Sequence, residues 1–506
     1  MEIKDLIVIG GGINGVGIAA DAAGRGLSVV LLEAQDLASA TSSASSKLIH
    51  GGLRYLENYE FRLVREALAE REILLKMAPH IISPMRFCLP HRPHLRPAWL
   101  IRMGLFIYDH LVKRTSLPAS NQCFFNQDSS ILKPDITKGF QYSDCWVDDA
   151  RLVIINAQEI VKKGGEVKTR MQVIHAKRHE SYWIIKAKNI LNGEIYTLHS
   201  KGLVNAAGPW VKELIDNNIE ENLEETQNSL KYNVRLIKGS HIVVPRTHTL
   251  PLAFILQNED KRIIFVIPWM NEFSIIGTTD IEYLDDPRKV TIDDNEIEYL
   301  LNIYNSYFKN PLNRKNIIWH YSGVRSLYDD QSKTAQKITR DYILSVSDKQ
   351  GRLPLLSVLG GKITTYRKLA EHAMNKLMKY YPHAKSAWTS HIILSGGNVE
   401  NMENYLEHIK HMFPFLSEEL AKRYIYTYGT CTEDLLNGIH TIQNLGEHFG
   451  HGLHEVELNY LIKKEWAMEL DDIIWRRTKL GMWLNKDQKN RISKWLLANT
   501  SHKEEK

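Results

Sequence analysis

The sequence predicts an α/β and α+β chain: a nucleotide-binding α/β domain assembled from separated segments, a β-rich domain set between them, and a helical C-terminal domain. Three observations carry this. The first 33 residues read as strand, glycine-rich turn, small-residue helix, strand and acid. Short apolar strands recur far apart along the chain and are flanked by helical patterns, as in a domain built from several segments. After about residue 388 the pattern turns helical and charged.

The opening unit is the most specific. Leu6-Ile7-Val8-Ile9 runs into Gly10-Gly11-Gly12-Ile13-Asn14-Gly15, and Val29-Val30-Leu31-Leu32 ends at Glu33. Gly10 allows the tight turn, Gly12 lets backbone approach a pyrophosphate, and Gly15 lets helix pack on strand. The helix start then faces the phosphates with unpaired N–H groups and a favourable dipole. Glu33 stands where a carboxylate takes ribose hydroxyl hydrogen bonds. A dinucleotide site contacting Gly10, Gly12, Ile13, Asn14, Gly15 and Glu33 follows.

A Ser/Gly-rich segment, Thr41 to Tyr55, comes next; its hydroxyls, backbone donors and Lys47 suit a second contact with an extended phosphate-bearing cofactor. Glu57 to Lys76 carries apolar residues at helical spacing. Between Pro79 and Pro134 prolines recur around one apolar helix, and Arg151 to Val161 reads as a helix. Residues 165–208 alternate as short strands with a hairpin turn at Asn192-Gly193, ending in the buried run Leu203 to Gly208. Val234 to Val244 and Arg262 to Gly277, the latter folded about Asn271-Glu272, form a second β region. Leu355 to Val358, Gly360-Gly361 and the following helix repeat the strand–turn–helix pattern, with Lys362 placed to bind an anion.

The expected division is 1–78, 146–215 and 325–387 for the nucleotide domain. Residues 79–145 are a partly helical insertion of the substrate or cap region, 216–324 the β-rich substrate domain, and 388–506 the helical domain. With 43% hydrophobic and 24% charged residues the chain is ordinary for a globular protein. A net charge of +5, spread diffusely, fits anionic substrates or an anionic membrane surface and gives no reason to expect nucleic acid. Four scattered cysteines lack metal spacing and fit a reducing compartment. No signal peptide and no spanning helix are expected, so the chain is read as cytoplasmic or peripheral.

Gly10 to Gly26, closed by Asp21 and Arg25-Gly26, resembles the first signature of FAD-dependent glycerol-3-phosphate dehydrogenases, and Gly360 to Ala370 resembles the second. Ser42 to Tyr55, Ile237 to His241, Gly277 to Asp280 and Tyr321 to Arg325 are similar to the aerobic, quinone-linked branch. The resemblance implies an FAD-binding Rossmann-like domain of glycine-oxidase type, non-covalent FAD, oxidation of sn-glycerol 3-phosphate to dihydroxyacetone phosphate, and membrane quinone as acceptor. A homodimer is compatible with it. It extends the cofactor contacts to Thr41, Ser42, Ser43, Ser46, Lys47, Leu48, His50, Gly51, Val173, Ala207, Gly208, Gly361, Lys362, Ile363 and Thr364.

That reaction needs a base, a positive charge at the developing alkoxide and a phosphate clamp. His241 is the candidate base and Arg325 the oxyanion stabiliser. Arg54, Tyr55, Lys362, Thr364 and Arg340 are the candidate clamp. A single dinucleotide fingerprint argues that substrate reduces the flavin directly. An oxygen-using glycerol-3-phosphate oxidase and an FAD-binding RNA-modification factor are the alternatives. Arg96 to Tyr108 and residues 475–497 both mix aromatics with basic residues, as interfacial segments do.

Overall fold

The computed structural model describes residues 2–113, 116–126, 129–220, 234–329 and 341–500. Strand Ile3–Ile9 is buried from its middle onward and pairs in parallel with Val29–Leu32 on one side and Ile195–Asn205 on the other. Glu166–Lys168 and Arg352–Leu359 extend this parallel core at either side, and antiparallel strands pair with Ile195–Asn205 and Arg352–Leu359 to complete a nine-stranded sheet. Parallel strands need crossovers, and the helices Ile13–Gly24, Asp149–Lys162 and Tyr366–Leu377 supply the apolar cover on one face. The alanines of Ile13–Gly24 let the other two helices lie close against it.

The second sheet has ten strands. Towards one edge lies Val234–Pro245, which pairs along its length with Trp319–Tyr328 and on its other side with Phe273–Gly277. The turn at Asn271-Glu272 joins Ile263–Trp269 to Phe273–Gly277 as the sequence suggests. Within residues 79–145, expected as an insertion of the substrate or cap region, Ile82–Pro90, Asn121–Phe124 and Lys138–Val147 are strands of this same sheet, joined to it through Leu252–Gln257. Leu48–Ile49 also adds to it, so the segment assigned to the nucleotide domain crosses over at that point. Helix Asp294–Tyr307, opened by a capping box between Asp293 and Glu296, covers one face, and Phe61–Met77 with Ala98–His110 lies on the other.

Residues beyond 388 form a third apolar core, chiefly helical, with one short hairpin at His448–His454 and a π-helical turn at Asp472–Arg477. Among the described residues no helix is long and apolar enough to cross a membrane.

Candidate active site

A cleft of about 1420 Å³ runs from the glycine-rich turn, between the two sheets, to helix Ala98–His110. Its volume exceeds the few hundred to about 1,000 Å³ of ordinary ligand pockets and leaves room for an extended dinucleotide and a small substrate together. Gly10 sits at φ +113°, and a Cβ there would fall 2.4 Å from the Ala206 carbonyl oxygen. Gly15 contacts no ligand space: its Cβ would meet the Gly10 oxygen at 1.9 Å, so its role is helix-to-turn packing. Gly12 differs from both, because its Cβ would meet only Ser42 Oγ, at 3.1 Å, and otherwise face the cleft. Ile13 N–H donates to that hydroxyl, and the Glu33 carboxylate accepts from the Gly11 and Gln35 N–H groups. Burial pushes Glu33 upward from its ordinary pKa, against those two hydrogen bonds.

Ile13, Asn14, Thr41, Ser42, Ser46, Leu48, His50, Val173, Ala207, Gly208, Gly361, Lys362, Ile363 and Thr364 all line this cleft, as do Arg54 and Tyr55. Asn14 bridges the two glycine-rich turns by donating to the Gly360 carbonyl at 3.2 Å, and Gly361 at φ +105° brings its backbone against the same amide. A dinucleotide laid along the first turn therefore reaches the second.

Polar groups converge at the far end. Lys362 Nζ lies 3.7 Å from the centre of the Tyr55 ring, Thr364 Oγ1 accepts from His50 N–H at 3.2 Å, and Arg54 lines the same cleft. Arg325 donates to Asp280 at 2.9 Å and to Thr278 Oγ1 at 3.4 Å, which aims its guanidinium across the cleft. Gly239 makes the space, since a Cβ there would fall 2.7 Å from an Arg325 nitrogen. Burial, and beyond it the charges of Lys362 and Arg325, pushes the His50 imidazole down to about 4. His50 is thus neutral at pH 7.

Besides Gly15, four expected site residues are placed off the cleft. His241 is buried off the cleft, stacked on Tyr321 at 4.7 Å, and reaches it only through a 2.9 Å hydrogen bond to Ser46 Oγ. His50, by contrast, lines the cleft itself. Lys47 is no phosphate ligand: its Nζ is buried against Asp149 at 2.8 Å. Ser43 faces a smaller cleft of about 320 Å³ on the other side of the loop. Gly51 is packed under Leu68, its N–H donating to Tyr108. Arg340 lies outside the described residues.

Sequence reasoning missed Asp280 and Thr278 as the groups that orient Arg325, although both sit in a segment already singled out. Asp144 was also missed; it accepts from buried Arg71 and Tyr108 beneath the His50–Gly51 turn. No local pattern marks it.

Residues 5–367 match the family described as FAD dependent oxidoreductase, and residues 387–496 match the C-terminal domain of alpha-glycerophosphate oxidase. The chain is 61% identical over 504 residues to the aerobic glycerol-3-phosphate dehydrogenase of Escherichia coli (strain K12), covering 99% of both chains. It is 46% identical over 498 residues to the D-erythritol 1-phosphate dehydrogenase of Brucella abortus (strain 2308), covering 98% of each. The crystal structure of glycerol-3-phosphate dehydrogenase from Bacillus halodurans, complexed with FAD, superposes with a TM-score of 0.74 at 26% identity, over 98% of this chain and 94% of that one.

Proposed function

Since this chain belongs to the FAD dependent oxidoreductases and, among them, to the glycerol-3-phosphate dehydrogenases, we propose that it oxidises sn-glycerol 3-phosphate to dihydroxyacetone phosphate and hands the electrons to membrane quinone. The observation that carries the reading is the convergence of Arg54, Lys362, Thr364, Arg325 and His50 at the far end of a cleft whose near end is a dinucleotide turn. FAD bound along that cleft supplies the acceptor for the hydride leaving C2.

The residues do the rest. Arg54, Lys362 and Thr364 hold the phosphate dianion, a fork and a point charge beside a hydroxyl. Arg325, held by Asp280, faces the oxygen on which negative charge grows as the hydroxyl proton leaves. His50, which lines the cleft next to Thr364, is placed to take that proton. Tyr55 fixes Lys362 through its ring face.

The acceptor reading is supported by where the cleft ends. Leu100, Met103 and Ile107 of helix Ala98–His110 line it, while Trp99 and Phe106 on the same helix are 66% and 63% exposed. An apolar route from the site thus opens beside an interfacial helix, which fits a peripheral protein taking its acceptor from the bilayer.

Anaerobic mixing is the test. Glycerol 3-phosphate should bleach the bound flavin, whereas glycerol and NADH should not, and a four-carbon polyol phosphate should act more slowly. Faster bleaching by the four-carbon substrate would move the assignment to that substrate. Rapid turnover with oxygen and none with a quinone analogue would replace the dehydrogenase by an oxidase.

A further inference from the structure

Beside the apolar contacts of Leu394 and Trp466, buried ion pairs join the C-terminal domain to the nucleotide domain, and several of them fall on one eight-residue stretch, Asp472–Lys479. Asp36, in the loop that follows Glu33, is 1% exposed and is taken by two guanidinium groups: Arg477 donates to both carboxylate oxygens, at 2.6 and 2.8 Å, and Arg476 donates to one of them. Asp472 in turn accepts from Arg170 at 2.9 and 3.0 Å and from Arg476. The backbone of Arg170 donates to the Gln35 carbonyl in the same loop. At the other end, Lys479 pairs with Asp148, whose neighbour Asp149 holds Lys47 and Ser45 of the second cofactor loop.

Local backbone geometry makes this grip possible. Residues 472–477 form a π-helical turn, in which Thr478 N–H donates to the Ile473 carbonyl five residues back. From this turn Arg476 and Arg477 both reach the Asp36 carboxylate. Single π-turns recur at functional sites.

The held loop is the one the nucleotide needs. Glu33 at its start takes the Gly11 N–H, and Ala38 N–H donates back to the Gly11 carbonyl at 3.1 Å, so fixing Asp36 fixes the glycine-rich turn as well. Buried ion pairs contribute little net stability compared with apolar packing, and their best-attested use is to enforce one geometry.

We propose that Asp472–Lys479 is a clamp on the cofactor loops, with Arg476 and Arg477 of the C-terminal domain acting through Asp36 as positioning residues for FAD. This rests on the reading of the cleft as the FAD site. It gives the C-terminal domain a role in cofactor retention.

The test measures FAD affinity by reconstituting apoprotein and following flavin fluorescence, in full-length Asp36→Asn, Arg477→Met and Arg423→Met. Arg423 forms a comparable ion pair with Glu457 inside the C-terminal domain and touches neither loop. Asp36→Asn and Arg477→Met should weaken FAD binding about tenfold or more, with added FAD restoring the rate, because a loop no longer held must be ordered by the ligand itself. Arg423→Met should lower the melting temperature and leave FAD affinity within about twofold, since its pair is remote from the ligand. Unchanged affinity in Asp36→Asn and Arg477→Met, or an equal loss in Arg423→Met, would overturn the proposal. Should Arg477→Met fail to fold, the isosteric Asp36→Asn and the milder Arg477→Lys decide by the same criterion. A wild-type protein that holds no FAD would instead overturn the cofactor reading.

Discussion

Replacing Gly12 by valine separates binding from folding. Its φ of −83° is ordinary for any residue, and a Cβ there meets only the rotatable Ser42 hydroxyl, at 3.1 Å. The fold should lose no more than about 1 kcal/mol, the range of a helix-terminal substitution. The side chain enters the cleft where the pyrophosphate approaches the helix start. Losing one charge-assisted backbone hydrogen bond forfeits about 1.5–3 kcal/mol, and moving the anion off the helix end forfeits about 0.3–1 kcal/mol more. Together these weaken FAD binding by roughly 20- to 1,000-fold. Gly15→Ala is the contrast, since its Cβ would lie 1.9 Å from the Gly10 oxygen and the turn itself must give way. Purified Gly12→Val should be colourless, give a wild-type far-UV spectrum and melt close to the apoprotein. Gly15→Ala should be poorly soluble. A yellow Gly12→Val protein with wild-type FAD affinity would refute the placement of the pyrophosphate at this turn.

Arg325→Met should slow flavin reduction by about 10²–10³-fold, read by anaerobic stopped flow, because a single preorganised charge is removed from the developing alkoxide. Because His50 is held near 4 and a base must be neutral, kcat/KM should be flat from pH 8 down to about 5 and fall below that as the imidazole takes a proton; His50→Asn should lose both rate and this acid limb. Lys47→Met strands the Asp149 carboxylate in the core and should cost about 3–5 kcal/mol in denaturant unfolding. Trp99 and Phe106 changed together to serine should reduce sedimentation with anionic vesicles and quinone-analogue reduction in membranes, leaving soluble-dye reduction intact; Trp495→Ser should lower stability instead, since its ring packs against Phe449.

The nucleotide unit was legible because everything that forms it is local. Alternation, glycine spacing and the terminal acid all fall within 33 residues, and the parallel pairing of Ile3–Ile9 with Val29–Leu32 follows from the crossover helix between them. The second sheet was legible only in part. Ile82–Pro90 carries Pro84 and Pro90, which argue against a strand interior. The structure tolerates them because neither lies within Arg86–Cys88, the stretch flanked by strands on both sides. A strand with one neighbour needs only half of its backbone donors, and that economy leaves no periodic signature.

What the sequence hid at the site has one physical cause: the partner of a charge is rarely near it in the chain. Lys47 in a serine-rich loop reads as a free cation, and Asp149, about a hundred residues on, removes it from the ligand's reach. Trp475, Arg476 and Arg477 read as an interfacial basic stretch. Folding instead stacks Trp475 on Trp319 at 4.5 Å and buries Arg477 completely against Asp36, 441 residues earlier. His241 has the residue type of a base, but Ser46 stands between it and the cleft. His50 sits in the serine-rich segment read as cofactor contact, and the groups that surround it in the cleft, Thr364, Lys362 and Arg325, come from other elements. Residue type and spacing therefore located the cleft, whereas the role of each group within it is set by which opposite charge the fold brings alongside.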